Sequence, residues 1–178
     1  MVAIGAGARA RMGWTDLAPT PDMPGLVRVA AAMRPDHLVF GEVMGPEVGE
    51  LVLVATRGGD GIVLAMPGRT STESLGRIAA LASPALGGAV TAASLVATAF
   101  DLCLHVVMAA DGHARIVEVV EPRANAAEVV GDVALALYNE GSKRDLSTGR
   151  LAGRGVSGKL GAAIAAAGSP LPSAVVGK

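Results

Sequence analysis

The stretch RVAAAMRPDHLVFGEVMG, residues 28–45, decides the fold class of this chain. Its first part has apolar residues at helical spacing, and the turn Arg34-Pro35-Asp36 ends that helix because a proline disfavours helical torsions in the residue before it. A short apolar run follows and predicts a buried strand over 37–41, with Glu42 at its carboxyl end. In open α/β sheets, ligands bind at the carboxyl ends of the strands. In nucleotide-hydrolysing motors, a carboxylate at such a position handles magnesium or the attacking water, so Glu42 is the first candidate functional residue.

Composition limits the remaining possibilities. With 178 residues, of which 51% are hydrophobic and only 2% aromatic, the chain can form one ordinary domain with a real core. The net charge of −1 gives no electrostatic argument for binding nucleic acid. The single Cys103 excludes an intramolecular disulfide and a cysteine-only zinc site. Its apolar neighbours predict a buried, inert thiol, which fits a reducing cytoplasm.

Around the opening stretch, the pattern predicts alternating helices and strands. The proline-rich residues 1–24 predict an irregular entry segment. Helices are predicted over 25–34, 46–56, 72–82 and 90–100, and a second buried strand over 62–66. Thr70 or Ser71 can cap the third of these helices, with Glu73 in its first turn.

The second half changes character to antiparallel strands. Strands predicted over 102–107 and 115–120 are joined at Asp111-Gly112, a dipeptide typical of hairpin turns. The same pattern predicts further strands over 128–130 and 133–138, a polar loop over 139–150, a short helix over 160–167 and a flexible tail over 173–178.

The longest apolar window, residues 90–110, is long enough to raise the question of a membrane span. Asp101 and His105 interrupt it, and charged groups in the middle of a bilayer are costly. The window also divides naturally into a helix and a strand, which is the interpretation that we favour. Arg9 and Arg11 are not followed by an apolar core, so no signal peptide is predicted.

Several separate motifs resemble the secretion ATPases that drive type II and type IV secretion and pilus assembly. Residues 28–45 resemble their Walker B region, with Met44 where the family has an arginine. Two later blocks are similar in the same order: TRGGDGIVLAMPGRTSTESLGRI at 56–78 and ATAFDLCLHVVMAADGHARIVEVVE at 97–121. The ending GRLAGRGVSGKLGAAIAAAGSPLP at 149–172 is similar to that of the CpaF-like branch, which assembles Flp/Tad pili.

The resemblance covers 25–172 and implies a fold class and a limit on activity. The fold is α/β: the later half of a RecA-like P-loop ATPase domain, followed by a small antiparallel β-meander and a C-terminal helix. The family's phosphate loop, GxxxxGK[ST], is not found in 1–24, and the two family histidines fall on Gly59 and Pro67. Transition-state charge would then lack its main stabilising groups, which favours a protein that is not an enzyme over an ATPase.

The resemblance also assigns roles to four residues. It implies that Glu42 orients or activates water near the γ-phosphate, and that Arg28 and Arg34 reach a phosphate in a neighbouring subunit's site. It implies that Asp60 remains from a sensor loop that carried histidines. Each has a structural alternative: Glu42 can cap the next helix, the arginines can be solvated charges, and Asp60 can bond the backbone of its own turn. ATP and Mg²⁺ are implied as cofactors by resemblance only, and the isolated chain is not expected to bind them.

Two other sets of residues contain groups that can bind a metal ion or a phosphate. His37, His105 and His113 have no ligand spacing, so no metal site is predicted. Residues 153–159 fit GxxxxGK, but Leu160 stands where a phosphate loop needs Ser or Thr, and the segment before them is polar. No phosphate loop is therefore predicted there.

These observations support two hypotheses about function. The first is a degenerate relative of the pilus-assembly and secretion motor ATPases that is not catalytic and contributes subunit contacts in a secretion or Flp/Tad pilus assembly. The alternative is half of a split ATP-hydrolysing motor, completed in trans by a chain that carries the phosphate loop; a gene product without function is a third possibility. Because family members are hexamers, the resemblance implies motor subunits or further copies of this chain as partners. It implies a cytoplasmic location that reaches the inner membrane only through a secretion-machine partner.

Overall fold

The computed structural model describes residues 2–4, 15–17, 22–58, 61–139, 149–156 and 158–168. Within these residues the chain forms five helices and eight strands. The helices are α1 (Met23–Ala32), α2 (Glu47–Thr56), α3 (Ser71–Ala82), α4 (Ala89–Ala99) and α5 (Gly158–Ala166). The strands are β1 (Val2–Ile4), β2 (Thr15–Leu17), β3 (Leu38–Glu42), β4 (Ile62–Ala65), β5 (Cys103–Met108), β6 (Ala114–Asn125), β7 (Glu128–Asn139) and β8 (Arg150–Gly153).

The strands form two sheets of different kinds. The first has the order β2-β1-β3-β4, and each of its neighbouring pairs is parallel. The second has the order β5-β6-β7-β8 and is antiparallel throughout. This arrangement confirms the predicted change from an α/β half to antiparallel strands. It also makes β4 an edge strand of the first sheet and β5 an edge strand of the second.

Local side-chain chemistry sets the ends of the helices. The Asp22 carboxylate accepts a hydrogen bond of 2.8 Å from the N–H of Gly25 and caps α1. Thr70 Oγ1 accepts one of 3.1 Å from the N–H of Glu73 and caps α3, as predicted. Helix α1 ends just before Arg34, whose φ of 48° is the left-handed conformation that commonly terminates helices.

One hydrophobic core joins the two sheets. Helix α3 packs on β7, α4 packs on β6, and both helices contact each other and α2. Val120 of β6 and Val129 of β7 are buried in the same cluster as Leu51 of α2 and Leu75 of α3. The parallel half and the antiparallel half therefore share one core, with α3 and α4 between them.

The segment over 1–24, expected to be irregular, contains the short strands β1 and β2. Strand β1 pairs with β2 on one side and with β3 on the other, so that Val2 lies opposite both Thr15 and Leu38. Strands of three residues carry too little local periodicity to be predicted, because their stability comes from partners that are distant in sequence. The domain boundary at 24/25 remains a prediction, and the tail over 173–178 lies outside the described residues.

The antiparallel sheet keeps the predicted hairpin at Asp111-Gly112 but differs further along. Strand β6 continues to Asn125 and turns at Ala126, whose φ is 50°. Strand β7 is continuous through Gly131, where two strands were expected, and a Cβ at Gly131 would stand 2.8 Å from Val120. Strand β8 occupies the end of the predicted polar loop, most of which lies outside the described residues.

The apolar window 90–110 divides between α4 and β5, as predicted. No helix in the described part of the chain is long and apolar enough to cross a bilayer.

Candidate functional site

Glu42 is the last residue of β3, at the carboxyl end of a parallel strand. Its side chain is exposed, and its carboxylate makes no hydrogen bond or ion pair within the described part of the chain. The backbone beside it is fixed, because the N–H of Val43 donates to the carbonyl of Ala65 at 3.0 Å. Glu42 thus presents a carboxylate at the position where ligands bind in open α/β sheets.

Glu47, in the first turn of α2, fixes the turn that precedes this helix. Its buried carboxylate accepts hydrogen bonds from the N–H groups of Met44 at 3.0 Å and Gly45 at 2.9 Å through Oε1. The N-cap residue of α2 is Pro46 and has no side-chain cap hydrogen bond, so the capping role considered for Glu42 is not observed among the described residues. The signal that could have identified Glu47 is an acidic residue in the first turn of a helix, directly after Gly45-Pro46.

Arg28 is used in a contact between helices. Its Nη1 donates to Oε1 of Glu50 at 2.8 Å, which joins α1 to α2. The two side chains are 56% and 27% exposed, so the ion pair is worth about 0–1 kcal/mol. The separation of 22 residues gives no periodic signal in the sequence that would predict this pair.

Arg34 and Glu42 are not brought together. Arg34 precedes the amino end of β3, whereas Glu42 ends it, and the five-residue strand between them spans about 13 Å at about 3.3 Å per residue. Asp60, the fourth predicted site residue, lies outside the described residues. The described candidates therefore do not assemble around one point.

A cavity of about 920 Å³ lies between the two sheets, and we call it the edge groove. It is lined by residues 61–68, which include β4, and by 98–106, which include most of β5; α3 contributes its buried face. Asp101 supplies the only carboxylate of its described lining, which is otherwise mostly aliphatic or small, with Phe100 and His105 as the exceptions.

The polar residues of the edge groove are held by neighbours. Ser71, at the start of α3, donates a hydrogen bond from its hydroxyl to Glu118 of β6. Cys103 lies beside them, and burial, with a smaller contribution from the negative charge of Glu118, raises the pKa of its thiol. A thiol with a raised pKa is a poor nucleophile at neutral pH, so this cluster does not support covalent catalysis.

Two further arrangements concern metal and phosphate binding. Among the described residues there is no group of three or more His, Cys, Asp or Glu side chains that could hold a metal ion. The GxxxxGK frame at 153–159 begins at the last residue of β8, an antiparallel strand with no buried residue, and leads into α5 at Gly158. A phosphate loop instead follows a buried strand of a parallel sheet, so the expectation of no phosphate loop here stands as a prediction.

Comparison with solved structures identifies a similar fold. The VirB11 ATPase from the Brucella suis type IV secretion system, solved in complex with sulphate, superposes with a TM-score of 0.55 at 17% sequence identity. The match covers 66% of this chain and 40% of that one. The chain has the fold of part of an ATPase. The fold class predicted from the sequence, a portion of a RecA-like ATPase domain, is therefore confirmed.

Comparison of sequences gives a related result. Two proteins of Mycobacterium tuberculosis, from strains CDC 1551 and H37Rv, carry provisional names as conjugal transfer proteins. Each is 38% identical to this chain over 96 residues, which is 53% of this chain and 27% of the relative. The chain thus spans about a quarter of the length of these relatives, and no family model matches it.

Proposed function

We propose that this chain is a secretion- or conjugation-machine component related to the motor ATPases, which contributes subunit contacts and does not hydrolyse ATP on its own. The observation that carries this proposal is the fold shared with part of the VirB11 ATPase. The stretch shared with proteins named for conjugal transfer supports it independently.

The absence of catalysis in the isolated chain is proposed from the environment of Glu42. The sequence contains no GxxxxGK[ST] motif. In the described part of the chain, the nearby N–H groups of Met44 and Gly45 are occupied by Glu47, and Arg28 is paired with Glu50. A nucleotide placed at Glu42 would therefore meet neither a lysine nor a cradle of free backbone donors from these residues.

The finer assignment is to the CpaF-like branch that assembles Flp/Tad pili. It is supported by the similarity of residues 149–172 to the ending of that branch. Partners would be motor subunits or further copies of this chain, in the cytoplasm and at the inner membrane through the assembly.

A second candidate function is favoured by one observation. The Glu42 carboxylate is exposed and unbonded within the described residues, at the carboxyl end of its strand. A second polypeptide that carries a phosphate loop could place a nucleotide against it. In this alternative the chain is half of a split motor, and Glu42 acts on water in trans.

Phosphate release with ATP and Mg²⁺ separates these functions. The purified chain alone should give no release above buffer, and a stable complex with a motor subunit of the same secretion system should form by light scattering. Activity that arises only in the complex and is lost in Glu42→Gln, but kept in the exposed control Glu128→Gln, would establish the split motor. Turnover by the chain alone, or a species that stays near 17.7 kDa when the motor subunit is added, would contradict the first proposal.

A further inference from the structure

The edge groove is bordered by two sheet edges. In the described part of the chain, β4 pairs with β3 only, and β5 pairs with β6 only. Residues of both strands line the same groove. Backbone groups at a sheet edge that lack a partner are a template for a further strand.

The directions of the backbone groups follow from the hydrogen bonds that are present. The carbonyls of Gly61 and Ala65 accept bonds of 3.1 and 3.0 Å from Leu38 and Val43, on the β3 side. Successive residues of a strand direct their N–H and C=O groups to opposite sides. The N–H and C=O groups of Ile62 and Leu64 therefore point away from β3, toward the groove.

The same reasoning applies to β5. The N–H of Ala109 donates to the carbonyl of His113 at 2.9 Å, next to the pair Met108 and Ala114. Hydrogen-bonded and non-hydrogen-bonded pairs alternate along an antiparallel ladder. The backbone N–H and C=O of Val107 therefore bond to β6, whereas those of Val106 point away from β6. Val106 lines the groove, so this backbone faces it from the second side.

The chemistry of the lining restricts what can enter. Val63 of β4 and Leu104 and Val106 of β5 are 57%, 53% and 52% exposed, although they are aliphatic residues on strands. Asp101 at one end is the only carboxylate among the described residues that line the groove, and no lysine or arginine is among them. An occupant without charge in its central residues complements such a surface, since a buried charge without a partner is strongly destabilising.

We propose that the edge groove takes up one extended, uncharged, aliphatic β-strand of a different polypeptide, a motor subunit. The strand pairs with Ile62 and Leu64 of β4 on one side and with Val106 of β5 on the other, and it joins the two sheets into one. This proposal rests on the proposed function, because it specifies how a motor subunit contacts this chain. Its backbone pairing supplies affinity, and the aliphatic lining selects the sequence, as in other cases of strand addition.

A peptide experiment tests the pairing directly. The probe is a fluorescein-labelled peptide with eight central Val, Ile and Ala residues between terminal lysines, titrated with the full chain by fluorescence anisotropy. The matched control peptide has the same sequence with alternate backbone nitrogens methylated, which removes the donors on one side. We expect saturable binding of the probe and at least a tenfold loss of affinity for the methylated control. Equal binding of the two peptides, or no binding, would overturn the proposal.

Variants of the chain locate the site. Val106→Pro removes an N–H that faces the groove and leaves the β6 ladder intact, so it should weaken probe binding at least tenfold. If this variant does not fold, Val106→Lys places a charge on the same edge, with Val90→Lys on α4 as the control for an exposed valine outside the groove. Unchanged binding of the probe by the Val106 variants would contradict the assignment.

A second copy of this chain is the competing occupant. If the wild-type chain forms a dimer that Val106→Pro abolishes, the groove binds a second copy of the chain, and the proposal is overturned.

The two proposals can fail separately. A motor subunit that binds wild type and Val106→Pro equally would sustain the proposed function and overturn the strand groove. Specific binding of the probe without any binding of a motor subunit would sustain the strand groove and overturn the proposed partner.

Discussion

Ser71, at the start of α3, donates a hydrogen bond from its hydroxyl to the carboxylate of Glu118 in the middle of β6. The bond spans 47 residues and links the helix that follows the parallel sheet to the antiparallel sheet. Ser71 is 1% exposed, so its hydroxyl cannot replace this bond with water.

Replacing Ser71 by alanine should therefore destabilise the fold by about 1.5–3 kcal/mol, the usual range for a hydrogen bond to a charged group. Urea unfolding followed by circular dichroism measures this loss. Ser94→Ala, at an exposed position of α4, is the matched control and should stay within about 0.5 kcal/mol of wild type. Equal midpoints for the two variants would show that the Ser71–Glu118 bond does not hold the sheets together.

Two neighbouring glutamates should respond differently to truncation. Glu47→Ala removes the acceptor for the part-buried N–H groups of Met44 and Gly45, so it should lower the free energy of unfolding by about 1–3 kcal/mol, the usual cost of a buried donor left without a partner. Glu42→Ala removes an exposed carboxylate without a described partner and should change stability by less than about 0.5 kcal/mol. Urea titrations of both variants in parallel check the difference, and a larger loss for Glu42→Ala would reverse the two roles.

Much of the fold follows from local signals in the sequence. The Arg34-Pro35-Asp36 turn places the start of β3, and the apolar run after it ends at Glu42 as expected. The Asp111-Gly112 turn places the β5–β6 hairpin, because its residues suit the torsions of a tight turn. Each of these features depends on residues that are adjacent in the chain, which is why they could be predicted.

The features that were missed depend on distant partners. Strands β1 and β8 are three and four residues long, and pairing with β3 and β7 defines them. The turn at Ala126 carries no glycine to indicate its positive φ. The Arg28–Glu50 pair redirects a predicted phosphate-binding side chain into a contact between helices. Such outcomes are set by tertiary packing, which outweighs local preference.

The hairpin turn should respond to acid through Asp111. Its carboxylate accepts hydrogen bonds from Arg115 at 2.7 and 2.6 Å and from the N–H of His113 at 3.1 Å. The Arg115 guanidinium, with a smaller contribution from the His113 N–H, holds the pKa of Asp111 well below its usual value. A lowered pKa in the folded state means that the bonds stabilise the fold above the unfolded pKa, near 4, and that this contribution is lost as the pH falls below it.

The difference in urea midpoint between wild type and Asp111→Asn should therefore be constant between pH 6 and pH 5 and should shrink as the pH falls below about 4. The Glu42→Gln variant, measured over the same range, controls for the general effect of removing an exposed carboxylate. A wild-type advantage that grows on acidification would have the wrong sign and would exclude the proposed pairing.

Cys103 should react slowly with thiol reagents in the folded chain. Its sulfur is half-buried at the edge groove, and burial together with the nearby Glu118 carboxylate raises the pKa of the thiol. The thiolate is the reactive form, so a smaller thiolate fraction lowers the rate at pH 8. We expect the folded chain to react with a disulfide reagent at least tenfold more slowly than the urea-unfolded chain.

Two variants separate the effect of charge from that of burial. Glu118→Gln removes the neighbouring charge and keeps the shape of the side chain, so it should raise the reaction rate of Cys103 in the folded chain. Glu128→Gln should leave that rate unchanged. Equal rates for folded and unfolded chains would show that Cys103 is freely accessible, and a slower rate in Glu118→Gln would contradict the electrostatic contribution.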